Sequence, residues 1–218
     1  MKTIAINQPA YLPFPGYLER MSMADQFVLL DHVTFEKGSF INRNRIKGVN
    51  GEYWITIPLK QKGLMDTPIN EVMVSHEENW RAKHIKSITQ DYSRAPFFDE
   101  ELTDTYIKSD RLLPYCLATT EYLMDKFGVS VKVVFSSELD CKKAKSELIL
   151  EICLKMEAER YISGPLGRDY LDLDAFTKNE IQVTFHDHQQ DEYPQRYGDY
   201  IPNLSAIDLL YNCGGMGG

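Results

Sequence analysis

No stretch of this chain approaches the ~20 consecutive apolar residues that a membrane-spanning helix needs. Its N-terminus also lacks a charged segment followed by a long apolar run. Both absences lead to the expectation of a cytoplasmic protein without membrane insertion. Cysteine is scarce: Cys116, Cys141, Cys153 and Cys213 lie far apart with no CxxC pair, so neither a zinc knuckle nor a disulfide framework is signalled. Cys116 and Cys153 fall in helical patterns and are expected in the core. Basic charge is short as well, with 24 Lys and Arg against 32 Asp and Glu. The basic residues are scattered, which argues against nucleic acid or an anionic membrane surface as partner. Repeats, low-complexity segments and Pro- or Gly-rich linkers are missing too, and 218 residues with 43% hydrophobic content suit one α/β domain over residues 1–218.

What is present begins with "INQPAYLPFPGYLERM", from Ile6 to Met21. Met1 to Ile6 reads as a buried strand and Gly16 to Met23 as the first turns of a helix. Between them Pro9, Pro13 and Pro15 fix their own φ and push Gln8, Leu12 and Phe14 toward extended backbone, which makes the connection stiff. Gly16 permits close approach where the helix starts. A strand, a rigid loop and a helix N-terminus make a common ligand-binding arrangement; the plain alternative is a rigid connector.

Farther on, "QFVLLDHVTF" reads as a second strand ending near Asp31 and His32, and "NRIKGVNGEYWITI" as a hairpin around Asn50-Gly51, with Ile55 and Ile57 alternating with Trp54 and Thr56. "INEVMV" reads as an edge strand. The spacing predicts helices over 77–92, 95–108, 113–128 and 145–159, with Trp80, His84, Ile85 and Ile88 near one face of the first. Leu148, Ile149, Ile152 and Met156 form a stripe on the last. "VSVKVVFSSEL", "RYIS" and "EIQVTFHDH" supply strands, and "SAIDLLYNCGG" a closing short helix. The fold class is therefore α/β, a mainly parallel, Rossmann-like sheet with flanking helices, a hairpin insertion at about 40–75 and a helical segment at about 77–127.

In such a sheet, residues just after the strands converge along one edge, where ligands bind. That places Asn7, Gln8, Asp31, Ser136, Ser137, Ser163 and Gly164 among the candidates. "FINRNRIK" offers Asn42, Arg43 and Asn44 as amide and guanidinium donors for phosphate or carboxylate, or simply a solvated hairpin. "SGPLGRDY" brings Arg168 beside glycine backbone, but it is neither a Walker A nor a dinucleotide motif. His84 is a candidate general base, although a histidine on an apolar face is more often a core residue. His186 and His188 alternate at a strand end in a way that can suit a metal, yet no third ligand is apparent in the sequence and no metal is assigned. Ser136 and Ser137 lack a G-x-S-x-G setting, so a hydrolase triad is not supported. No cofactor is identified.

Taken together, "QPAYLPFPGYLERM", "ADQFVLLDHVTFEKGSFINRNRIK", "WITIPLK", "YISGPLGRDYLD" and "YPQRYGDYIPNLSAIDLLYNCG" resemble the WbqC-like proteins in order and spacing from Ile6 to Gly214. The resemblance implies association with bacterial surface-polysaccharide (O-antigen) gene clusters. These stretches add Tyr11, Gly16, Tyr17, Tyr170 and Gln195 to the candidate binding residues. The chain departs from the family pattern at Phe14-Pro15, where a tryptophan is usual, and at His32, Val33 and Thr34, where aspartate, valine and glutamine are usual. The family pattern is expected to run on past "CGGMGG". The opening layout is also similar to that of the nucleotidylyltransferases, whose HxGH motif falls where "FPGY" stands, without either histidine.

The resulting expectation is a transferase acting on a nucleotide-activated or amino sugar by acyl or aminoacyl transfer. In it Gln8, Tyr11 and Tyr17 shape the pocket, Arg43 and Arg168 hold an anionic small molecule, and Asp31 or His84 is the base. A non-catalytic binding or scaffold protein that assembles polysaccharide-pathway enzymes, and a true nucleotidylyltransferase, stand as the alternatives.

Overall fold

The apolar run after Lys2 forms β1 (Thr3–Asn7), and the proline-rich loop delivers the chain into α1 (Pro15–Ser22) and β2 (Gln26–Leu29). The elements that follow are β3 (Arg43–Gly48), β4 (Gly51–Thr56), α2 (Trp80–Tyr92), α3 (Leu113–Lys126) and β5 (Lys132–Phe135). The chain continues through α4 (Lys145–Lys155), β6 (Arg160–Ser163), α5 (Leu173–Lys178), β7 (Gln182–Phe185) and α6 (Ala206–Cys213). This computed structural model describes residues 1–215. Among the described residues no helix is long and apolar enough to cross a membrane.

The chain divides into two compact units and passes between them after Gln8, Leu18, His32, Val129 and Gln189. The first, the parallel-sheet unit, holds residues 1–8, 19–32 and 130–189. Its five strands lie in the order β5-β2-β1-β6-β7, and every pairing is parallel. Asn7 stands opposite Leu29 across one ladder, and Ala5 opposite Ile162 across the other. Ile4, Ala5, Phe27, Val28 and Ile162 are fully buried, as are Ile152 and Cys153 of α4. Such strands read as near-continuous apolar runs because both faces of a parallel sheet are covered. Each large side chain removed from water contributes about 1.5–3 kcal/mol.

The second, the hairpin unit, holds residues 9–18, 33–129 and 190 onward. Its antiparallel β3-β4 pair turns at Val49 and Asn50, one residue earlier than the Asn50-Gly51 reading, with Gly48 opposite Gly51. Gly51 has φ +100, backbone that glycine adopts without penalty. Asn79 caps α2 by accepting from Ala82 N, and Gly128, at φ +64, follows the end of α3.

Three local expectations fail for identifiable reasons. "INEVMV" is no edge strand: Ile69–Glu71 forms a 3-10 turn after Pro68, and Met73 and Val74 make only isolated bridges. The helix expected over 95–108 shrinks to a 3-10 segment at Glu101–Thr105. There the Thr103 and Thr105 hydroxyls donate to the carbonyls of Glu100 and Leu102 and Asp99 accepts from Glu101 N, local bonds that compete with a helix. Leu12, expected to be extended before Pro13, has φ +49. Its N–H donates to Thr119 Oγ1 at 3.2 Å and its carbonyl accepts from Asn44 Nδ2 at 2.6 Å, so both backbone groups are held in a conformation that costs about 1–3 kcal/mol.

Candidate functional site

In the parallel-sheet unit the strand order reverses between β1 and β6. The crevice beyond the carboxyl ends of such a strand pair is the usual ligand position in an open α/β sheet. Asn7 ends β1, and its side-chain oxygen accepts from Gln8 N at 3.1 Å. Ser163 ends β6, and its hydroxyl donates to the carbonyl of Gly164 at 3.0 Å. A Cβ at Gly164 would lie 2.5 Å from Nη1 of Arg20, so the guanidinium sits directly against this backbone. Arg20 is only 6% exposed. Burial raises the Tyr170 phenol, the Arg20 charge offsets part of that rise, and Tyr170 is 48% exposed.

Arg168 directs its fork at Asp187, with Nη1–Oδ1 at 2.8 Å and Nη2–Oδ2 at 2.6 Å, and its guanidinium lies 4.6 Å from the Phe185 ring centre. Asp31, at 3% exposure, follows β2. Its Oδ1 accepts from Ser136 Oγ at 3.1 Å and Ser137 N at 2.9 Å, and its Oδ2 from Ser137 Oγ at 2.7 Å. With the Ser136 proton directed at Asp31, His32 Nδ1 donates to Ser136 Oγ at 2.6 Å. Past β7, His186 and His188 both meet Glu19 of α1.

The hairpin unit holds the other candidates. His84 Nε2 faces the carbonyl of Thr56 at 3.1 Å and must donate there, so Nδ1 accepts from Tyr11 OH at 2.9 Å; Tyr11 OH meets Tyr106 OH at 2.7 Å. Burial lowers the imidazole pKa to about 4 and raises the Tyr11 phenol well above its ordinary value. Asn42 donates to Ile57 O, and Asn44 accepts from Arg45 N. Arg43 donates to the carbonyls of Gly38 and Ser39 and lies 4.2 Å over the Trp54 ring. Gln195 accepts from Lys47 Nζ at 3.0 Å and exchanges two hydrogen bonds with Ile201. Tyr17 is 2% exposed and Gly16 is buried in the first turn of α1.

Sequence reasoning passed over Arg20 and Glu19, which stand inside the quoted opening stretch. A charged pair in a helical pattern reads as a solvated face, and nothing local ties either residue to a strand end far along the chain.

An uncharacterized protein of Mycobacterium tuberculosis, Rv1507c, is 31% identical over 227 residues, spanning 98% of this chain and 95% of its own. No solved structure matches the chain. The model of the WbqC-like protein family matches residues 8–217, from the proline-rich loop through α6, and the chain belongs to that family.

Proposed function

We propose that this protein is an enzyme of bacterial surface-polysaccharide (O-antigen) biosynthesis that binds a nucleotide-activated or amino sugar and transfers an acyl or aminoacyl group to it. The pathway rests on the family. The ligand rests on one observation: a buried arginine packed against the Gly164 backbone where the parallel sheet's strand order reverses. A desolvated guanidinium is a strong, planar partner for a phosphate or carboxylate, and Asn7 and Gln8 carry side-chain amides at the carboxyl end of β1. Asp31, acting through Ser136, orients His32, whose remaining ring nitrogen takes the proton as an acceptor amine attacks an acyl carbonyl and the carbonyl's bond to its leaving group breaks. Arg43, in the hairpin unit, is a second anion-binding candidate.

Calorimetry against sugar nucleotides, nucleoside triphosphates, acyl-CoA and free amino acids tests this reading. We expect a sugar nucleotide to bind, with at least a tenfold loss in Arg20→Ala and a smaller one in Gln8→Ala. Equal affinity in wild type and Arg20→Ala removes the site, and no binding by any class moves the reading to a non-catalytic scaffold of pathway enzymes. The strand order also favours a second reading, nucleotidyl transfer. It requires pyrophosphate release from a triphosphate with magnesium, and silence across the common triphosphates eliminates it.

A further inference from the structure

We infer that Glu19, His186 and His188 form a binding site for a divalent first-row transition metal of the zinc class, with a coordination position left open to solvent or substrate. One carboxylate and two imidazole nitrogens converge within 4.8 Å of one another. Glu19 Oε2 lies 3.0 Å from His186 Nε2 and 2.5 Å from His188 Nδ1. Both rings therefore aim at one carboxylate oxygen. Bonds of ~2.0–2.1 Å to a tetrahedral ion put ligand atoms about 3.3 Å apart, so small side-chain rotations open the cluster to the ion's size.

Three further observations support the assignment. The histidines are separated by one residue past the end of β7, the spacing that puts both on one side of an extended segment. Asp187 between them turns the other way and is clamped by the bidentate Arg168 contact, with Arg168 stacked on Phe185. That clamp fixes the backbone carrying both ligands, as supporting interactions do around metal centres. The histidine side chains are 9% and 11% exposed while Glu19 is 40% exposed, so the imidazoles are held by packing and the carboxylate side stays open.

The donor set selects the ion. Two imidazoles and a carboxylate suit zinc, cobalt, nickel, manganese or ferrous iron and disfavour calcium and magnesium, which take oxygen ligands. Three protein ligands with an open position are the pattern of catalytic rather than structural zinc. Held by Glu19, His186 and His188, such an ion would supply Lewis-acid chemistry, polarising a ligand oxygen or lowering the pKa of a bound water.

The test needs no substrate. Chelator-treated protein is titrated with Co2+, followed by visible d–d absorption, and with Zn2+, followed by competition and elemental analysis. One equivalent is expected, with at least tenfold weaker binding in Glu19→Gln and His188→Ala and a smaller loss in Arg168→Ala, circular dichroism verifying the fold of each. Equal affinity in wild type and His188→Ala, or no binding at micromolar metal, overturns the inference. Loss only in variants that have lost their circular dichroism also counts against it, because Glu19→Gln is nearly isosteric and should remain folded. Arg20→Ala, the variant that tests ligand binding, should keep its metal stoichiometry, so the two ideas fail separately.

Discussion

The two units place their buried polarity differently. In the hairpin unit two groups of buried polar side chains close on one another within the core. Asp208 accepts from Tyr92 and Tyr193, Tyr92 accepts from Lys47 N, and Lys47 Nζ reaches Gln195 and Asp199 O. His84, Tyr11 and Tyr106 make a second closed chain. In the parallel-sheet unit the polar groups gather beyond the carboxyl ends of the strands, around Asp31, Arg20 and Glu19, and several neighbours there are half-exposed. A satisfied interior network rigidifies a core, whereas the carboxyl edge of an open α/β sheet is where ligands usually reach it.

The largest expected effect attacks the closed network. Asp208 is fully buried, and burial raises its carboxyl while the Tyr92 and Tyr193 hydroxyls and the Lys47 charge pull it back. Asp208→Ala leaves two phenols without their acceptor, and hydrogen bonds to a charged group are worth ~1.5–3 kcal/mol each. A loss of about 3–5 kcal/mol is expected in denaturant unfolding; under 1 kcal/mol would show that the network is not a unit.

Next comes pH. His84 has a folded pKa of about 4 against 6.5, so the unfolded chain takes up the proton first. The stability it allows is complete above pH 6.5 and falls as pH drops toward 4, by about 3 kcal/mol at 1.36 kcal/mol per unit. His84→Gln should flatten unfolding free energy against pH across that window. An unchanged slope would mean that the ring is not held neutral.

In the parallel-sheet unit the matching steric test is Gly167→Ala. A Cβ there would stand 2.0 Å from Ser163 Oγ and 3.0 Å from Leu171 Cδ1. Overpacking of this kind costs about 1–3 kcal/mol, and the displaced Ser163 lies beside the proposed anion site. Ligand affinity should therefore fall along with the melting temperature. A fall in stability alone would uncouple β6 from binding.

Much of this was legible in the sequence, and the failures have a common cause. The parallel strands were readable because apolar runs bounded by turn residues are a local signal, and the alternation of Trp54, Ile55, Thr56 and Ile57 placed the hairpin's buried face correctly. The two units were not readable as such, because the chain crosses between them within short ordered segments and needs no linker. The His-Asp-His stretch was visible, but its partner Glu19 comes from the first helix, and no local pattern joins positions so far apart. Arg20 was hidden for the same reason. The 95–108 segment misled because its spacing is helical while its threonines and Asp99 bond to their own backbone.

The smallest expected effect sharpens the comparison most. Arg43 was singled out for its Asn/Arg context, yet it already donates to Gly38 and Ser39 and stacks on Trp54. A stacked, partly exposed guanidinium contributes about 0.5–1 kcal/mol, so Arg43→Ala should lower stability slightly. If anion binding belongs to the parallel-sheet unit alone, sugar-nucleotide affinity changes less than about twofold, under ~0.4 kcal/mol. A tenfold loss instead would bring the hairpin unit into the ligand site. Arg43→Lys separates charge from the planar fork: recovery by lysine marks a simple counter-charge, and failure to recover marks bidentate recognition.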